Sequence, residues 1–151
     1  MSAILSTQNL VKKYGYKIVS NNISLTINKG DIYGFVGKNG AGKTTFMRQV
    51  LGLAFPDSGE ITLFGGEPLN TARKKIGSLI EFPSIYKNCT AYENMKRMAI
   101  LTGSSDKSVR KILDFVGLGN TGNKKAGQFS LGMRQRLGIA MALLGTPVFL
   151  F

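Results

Sequence analysis

Ile23, Leu25 and Ile27 alternate with Ser24 and Thr26, and this period of two predicts a half-buried strand. Ile4–Leu10 reads as a strand before it, and Asn28-Lys29-Gly30 as a turn after it. Asp31–Val36 is short and mostly apolar, as expected of a strand leading into the glycine-rich segment that follows. Thr45–Leu51 then changes period: Phe46/Val50 and Met47/Leu51 are apolar pairs four residues apart, which predicts a helix. Pro56-Asp57-Ser58-Gly59 is a turn signal, and Glu60–Phe64 alternates again as a strand. A basic helical turn, Thr71–Lys75, precedes a short apolar strand expected over Ile76–Glu81.

From Pro83 onward the pattern is helical. Thr90-Ala91-Tyr92-Glu93 is a capping box opening a helix that is expected to end near Gly103. Ser104-Ser105 caps the next helix, in which Val109, Ile112, Leu113 and Val116 share a face until Gly117 stops it. After a loop rich in Gly, Asn and Lys, Ser130 starts a helix carrying Met133, Leu137, Ala140 and Leu144 on one side. Val148–Phe151 follows Pro147 as a buried strand reaching the chain end.

Composition changes this picture little. With 43% hydrophobic and 19% charged residues, a chain of 151 residues is that of one globular domain. One cysteine, Cys89, excludes an internal disulfide, and the absence of histidine excludes a Cys/His metal site. The formal charge of +12 invites a nucleic-acid reading. The cations are scattered over many elements, however, with no interleaved aromatic platform, so no dedicated nucleic-acid site is expected. The start lacks a signal peptide's pattern, and the uncharged stretch Leu137–Phe151 is too short to span a bilayer and is broken by Gly145 and Pro147. The expectation is a soluble protein whose membrane role comes through partners.

The strongest chemistry lies in Gly37-Lys38-Asn39-Gly40-Ala41-Gly42-Lys43-Thr44-Thr45, which fits the phosphate-cradling pattern G-x-x-x-x-G-K-[ST]. Phosphate oxygens require several backbone N–H groups converging on one point. Gly40 and Gly42 remove side chains from that approach and accept positive φ. The helix that follows points its unpaired N–H groups and dipole at the anion. Lys43 then reaches the β/γ-phosphates, and the Thr44 hydroxyl ligates Mg²⁺.

A second motif, Phe129-Ser130-Leu131-Gly132-Met133-Arg134-Gln135-Arg136, places a capping serine beside a glycine at a helix start. Together with the P-loop it resembles the signature sequence of ATP-binding-cassette (ABC) proteins, with Ser130, Gly132, Gln135 and Arg136 matching while Phe129, Leu131 and Met133 depart. Tyr14 resembles the aromatic that stacks on adenine in these cassettes; a strand-end aromatic covering the core is the alternative. Glu81, in Leu79-Ile80-Glu81-Phe82-Pro83, stands where the Q-loop glutamine is usual. With Thr90-Ala91-Tyr92-Glu93-Asn94, it makes the chain similar to bacitracin- and lantibiotic-type exporter ATPases.

The resemblance implies an α/β P-loop NTPase fold of ABC type, with a mixed sheet, an antiparallel β-subdomain and an inserted helical subdomain. It places a β-rich P-loop part at about 1–82, helices and the signature at about 83–145, and the start of the Walker B strand at 147–151. It implies ATP and Mg²⁺ as ligands, with Thr44 and Glu81 toward the metal, and the signature residues Ser130–Met133 acting on a second subunit's ATP. The implied partners are a second nucleotide-binding domain, paired head to tail, and transmembrane permease subunits that hold the protein at the inner face of the membrane. The family's Walker B aspartate, catalytic glutamate and switch histidine are expected beyond Phe151, so no catalytic residue is assigned within the chain. The polypeptide alone is then expected to bind ATP weakly and not to hydrolyse it.

Other P-loop classes fit less well. A GTPase needs Asn-Lys-x-Asp, and Asn123-Lys124-Lys125-Ala126 lacks the aspartate. Nothing marks a kinase acceptor site. A non-transport cassette acting on ribosomes or DNA is the second reading, supported only by the basic balance.

Overall fold

The computed structural model describes residues 2–151 and separates them into two compact units, one up to Lys74 and one over Lys75–Phe151. In the first unit, β1 (Ala3–Tyr14) pairs antiparallel with both β2 (Lys17–Asn28) and β3 (Ser58–Leu63), giving the order β2-β1-β3. β1 and β2 form a hairpin with Tyr14 opposite Lys17 at its tip and Lys12 opposite Ser20 below it. The alternation in β2 is borne out: Ile27 is buried while Ser24 and Thr26 are exposed. Helix α1 (Lys43–Leu51) presents Phe46 and Val50 as buried residues, and with Leu5, Leu10, Ile27 and Leu63 they make the apolar interior of this unit. A short helix, α2 (Leu69–Ala72), closes it.

Asp31–Val36 is not a strand. Among the described residues it pairs with no neighbour, and Ile32 and Val36 face solvent. A strand is defined by the backbone beside it as much as by its own residues, and an apolar run supplies only half of that condition. The segment is fixed instead by its ends. The Asn28 N–H donates to the Asp31 carboxylate at 2.8 Å, and the Phe35 ring stacks on Phe46 of α1 with centroids 4.9 Å apart.

The second unit opens with β4, which is only Ile76–Gly77 and pairs in parallel with β5 (Phe149–Leu150). The strand expected through Glu81 stops early because Glu81 adopts a left-handed φ of 62° and Pro83 follows, so the backbone leaves the ladder. The terminal strand also differs from expectation. Val148 and Leu150 are about half exposed, because β4 is the one strand beside β5 among the described residues.

The helices follow the sequence closely. α3 (Ala91–Thr102) starts on the reciprocal Thr90/Glu93 capping box and ends at left-handed Gly103. α4 (Asp106–Phe115) is capped by Ser105, and α5 (Leu131–Leu143) by Ser130. Met95, Val109, Leu113, Leu118, Phe129, Leu137 and Ala140 form the core between them. A surface network joins α3 to α4: the Tyr92 hydroxyl, Lys96 and Arg110 all donate to the Asp106 carboxylate. Those donors, the Tyr92 hydroxyl foremost, lower the Asp106 pKa to about 2.

A carboxylate whose pKa falls on folding stabilises the fold above its unfolded value and loses that contribution as pH drops toward the folded value. For Asp106 the window runs from the ordinary 3.8 down to about 2. The expected outcome is that the wild-type melting temperature falls more steeply across that window than that of Asp106→Asn. Parallel melting curves for the two proteins at a series of acid pH values would remove Asp106 from the account.

Candidate functional site

The glycine-rich loop folds as its residues require. Gly40 and Gly42 have φ of 80° and 89°, in the left-handed region that glycine enters without a Cβ penalty. Gly42 is the N-cap of α1, and no side chain caps it, so the first N–H groups of the helix are not taken by a capping side chain. The first turn of α1 has no acidic residue, which leaves the positive end of the helix dipole uncompensated there. Residues 37–41 are exposed, while Gly42 is buried against β2. A Cβ on Gly42 would lie 2.1 Å from the Val19 carbonyl oxygen, so the helix start is seated directly on the hairpin backbone.

Lys43 folds back onto the loop. Its ammonium donates to the carbonyl oxygens of Gly37, at 2.5 Å, and Lys38, at 2.8 Å. A cation folded onto two loop carbonyls, beside uncapped helix N–H groups, is a site whose complement is an anion. The residues therefore fit a polyphosphate. Thr44 stands in the same first turn of α1. Among the described residues no cluster of three acidic side chains or cysteines is placed to hold a metal. The donor set thus fits Mg²⁺ only where phosphate oxygens and water supply most of its ligands, the usual habit of that ion.

Tyr14 ends β1, on the same unit as the loop. Tyr14 is 54% exposed and its ring carries the Lys12 ammonium 5.3 Å from its centroid, so it does not serve as a lid on the core. Asp57 steadies this end of the hairpin by accepting from the Lys13 N–H at 2.6 Å and from Lys12 at 3.3 Å. The Lys13 N–H above all, then the Lys12 ammonium, holds the Asp57 carboxyl below the usual carboxylate range.

Glu81 and the signature residues belong to the second unit. Glu81 is exposed on the loop after β4. Ser130 accepts the Met133 N–H at 3.2 Å and is thereby the N-cap of α5. That bond leaves its own hydroxyl proton to donate. Phe129 is buried in the core, whereas Leu131 is exposed and Gly132 has open space where a Cβ would stand. The departures from the usual signature thus divide: Phe129 anchors the motif, and Leu131 faces outward.

Three residues hold elements together within the second unit in roles that the sequence alone does not assign. Asn94 is fully buried, and its amide clamps the loop after Glu81 by accepting from the Tyr86 N–H and donating to the Tyr86 and Thr90 carbonyls at 2.8–3.1 Å. Gly138 lets α5 pack onto that same loop, since a Cβ there would lie 2.6 Å from Pro83 and 2.8 Å from Leu79. Gly77 lies closer still to its neighbour, since a Cβ there would meet the Ala142 carbonyl of α5 at 2.1 Å. Glycine inside a helical pattern was the available signal for Gly138, as was a polar residue within a capped helix for Asn94.

Comparison with known proteins decides the class, because the sequence matches the ABC transporter family over residues 20–151. The chain belongs to that family. It is 48% identical to the bacitracin transport ATP-binding protein BcrA of Enterococcus faecalis, over 97% of this chain and 49% of the relative. It is 45% identical to the lantibiotic transport ATP-binding protein SrtF of Streptococcus pyogenes, over 95% of this chain and 63% of the relative. The chain therefore spans about half to two thirds of the length of these relatives. In three dimensions it resembles the solved ATP-binding subunit of an ABC transporter, with a TM-score of 0.82 and 26% identity over 95% of this chain and 63% of that one. The fold is accordingly that of an ABC nucleotide-binding domain with its helical subdomain. No helix among the described residues is long and apolar enough to cross a membrane.

Proposed function

We propose that the protein is the ATP-binding part of an ABC exporter that couples ATP binding and hydrolysis to the export of a peptide antibiotic, and so serves resistance or self-immunity. The observation that carries its nucleotide-binding part is the Lys43 ammonium held on the Gly37 and Lys38 carbonyls beside the uncapped start of α1. Bound ATP supplies the triphosphate anion and an adenine ring. Gly37–Thr45 then bind, with backbone N–H groups and the Lys43 ammonium directed at phosphate oxygens and the Thr44 hydroxyl at Mg²⁺. Tyr14 offers an exposed ring face to the base. The names of the bacitracin and lantibiotic relatives support the export of a peptide.

In this reading two such domains pair head to tail, and Ser130, Leu131, Gly132 and Met133 of one face the phosphates held by the other. The exposure of Leu131 and the open space at Gly132 suit that role. The protein works in the cytoplasm and is held at the membrane by permease subunits. Glu81, on a loop with the exposed rings of Phe82 and Tyr86, links the nucleotide to those subunits. A carboxylate there holds Mg²⁺ or its water by charge, where an amide offers only a neutral oxygen.

Glu81→Gln preserves size and the left-handed backbone and removes only the charge. The complete protein carrying it, assembled with its permease, is expected to bind ATP as the wild type does but to export peptide at an altered rate per ATP hydrolysed. Peptide export and hydrolysis measured together in membrane vesicles test this, and unaltered coupling would sink it. The reading of a ribosome- or DNA-directed cassette rests on the net charge alone. Salt-dependent RNA binding by the complete protein, in place of co-purification with a hydrophobic permease, would favour that alternative.

A further inference from the structure

Gln49 is a feature of the first unit that the nucleotide reading does not use. It lies on the apolar side of α1, three residues after Phe46 and one before Val50, and its exposure is 0%. A leucine or methionine would satisfy the helical pattern there. A buried primary amide costs about 1–3 kcal/mol unless its donors and acceptor are met. Gln49 finds partners on the hairpin for its oxygen and for one N–H. Its Oε1 accepts from the buried Ser20 hydroxyl of β2 at 3.2 Å, and its Nε2 donates to the Val11 carbonyl of β1 at 3.5 Å, the outer limit for such a bond.

The positions of these partners give the contact its meaning. Val11 lies three residues before Tyr14 on β1, and Ser20 lies opposite Lys12 on β2, so Gln49 grips both strands just below the tip that carries the Tyr14 ring. Val19, next to Ser20, meets the P-loop at Gly42, where the helix begins. One stretch of hairpin backbone is therefore fixed to α1 at the phosphate end by close approach and further along by the buried amide. Apolar packing is non-directional and would allow the hairpin to slide along α1, whereas hydrogen bonds to two strands set one register.

We propose that Gln49 is a positioning residue that fixes the Tyr14-bearing hairpin in register with the P-loop helix, so that the base platform and the phosphate cradle engage one nucleotide together. This assignment rests on the nucleotide-binding reading above. Gln49 touches no ligand itself. Its effect falls on ligands that need both the base and the phosphate contacts, and it leaves untouched a ligand that needs only the phosphates.

The test measures dissociation constants for ATP and for inorganic tripolyphosphate with the wild-type protein, Gln49→Leu, Ser20→Ala and Tyr14→Ala. Gln49→Leu is expected to weaken ATP about fivefold, the scale of one lost hydrogen bond, with tripolyphosphate unchanged. On a Tyr14→Ala background it is expected to cost nothing further. Ser20→Ala, which removes one hydroxyl, should shift the ATP-to-tripolyphosphate ratio in the same direction and decides the matter should Gln49→Leu fail to fold. Equal weakening of both ligands, or no change in either, would overturn the assignment while leaving nucleotide binding in place. A wild-type protein that binds neither ligand would instead overturn the nucleotide reading itself, and the assignment with it.

Discussion

Gly42→Ala is expected to abolish nucleotide binding, although it adds a single methyl group. The backbone there has φ of 89°, and an L-residue in that region costs about 1–2 kcal/mol. The methyl would also stand 2.1 Å from the Val19 carbonyl oxygen, a backbone atom of β2 that has no side-chain freedom with which to retreat. Relief requires the start of α1 to move off the hairpin. That motion carries away the first N–H groups of the helix and the Lys43 stem together, because Lys43 is the first residue of α1. The expected loss is at least about 100-fold in affinity for both ATP and tripolyphosphate, the scale of two or more lost charge-assisted hydrogen bonds. Isothermal titration of both ligands checks it, and an affinity within a few-fold of wild type would show that the loop tolerates the displacement.

The second large effect concerns stability. Gly77→Ala is expected to lower the melting temperature by roughly 5–10 °C, from about 2–3 kcal/mol of overpacking in a domain of this size. The added Cβ would stand 2.1 Å from the Ala142 carbonyl of α5 and 2.7 Å from the Leu150 side chain, so the helix has to shift. Leu150 is able to turn away; the carbonyl is not. Gly132→Ala is the matched control, because a Cβ at that position meets nothing within 4 Å and alanine favours a helical first turn. Thermal unfolding of the two variants should separate clearly. Equal melting temperatures would mean that α5 does not lie on β4 as closely as described.

What the sequence revealed and what it hid divide along a physical line. Helices carry most of their specification locally. The Thr90/Glu93 capping box, Ser105 and Ser130 mark the starts of α3, α4 and α5, and Gly103 ends α3 as its position in the sequence implied. The phosphate loop was legible for the same reason, since its glycines and Lys43 act within a few residues of one another. Strands depend on partners far away in sequence. The apolar runs Asp31–Val36 and Ile76–Glu81 look alike in sequence, yet among the described residues the first pairs with no strand and the second forms two residues of ladder before Glu81 turns left-handed. Val148–Phe151 reads as a buried strand, yet Val148 and Leu150 are half exposed, with β4 the one strand beside β5 among the described residues.

Positioning residues were hidden for a related reason. Gly77 and Gly138 are small because other elements approach them; Gly138 interrupts a helical pattern, whereas Gly77 leaves no such trace. Gln49 did leave one: a polar residue on the stripe that Phe46 and Val50 define as apolar. Such a residue has either lost stability or gained partners, and the Ser20 and Val11 bonds are those partners.

The central claim is that Gly37–Thr45 forms a polyphosphate site completed by an anion at the Lys43 ammonium. Titration of the purified protein with ATP, in the presence and absence of excess tripolyphosphate, tests it most directly. The expected result is saturable ATP binding that tripolyphosphate displaces and that Gly42→Ala eliminates. ATP binding that tripolyphosphate leaves untouched, or that survives in Gly42→Ala, would place the nucleotide elsewhere and contradict it.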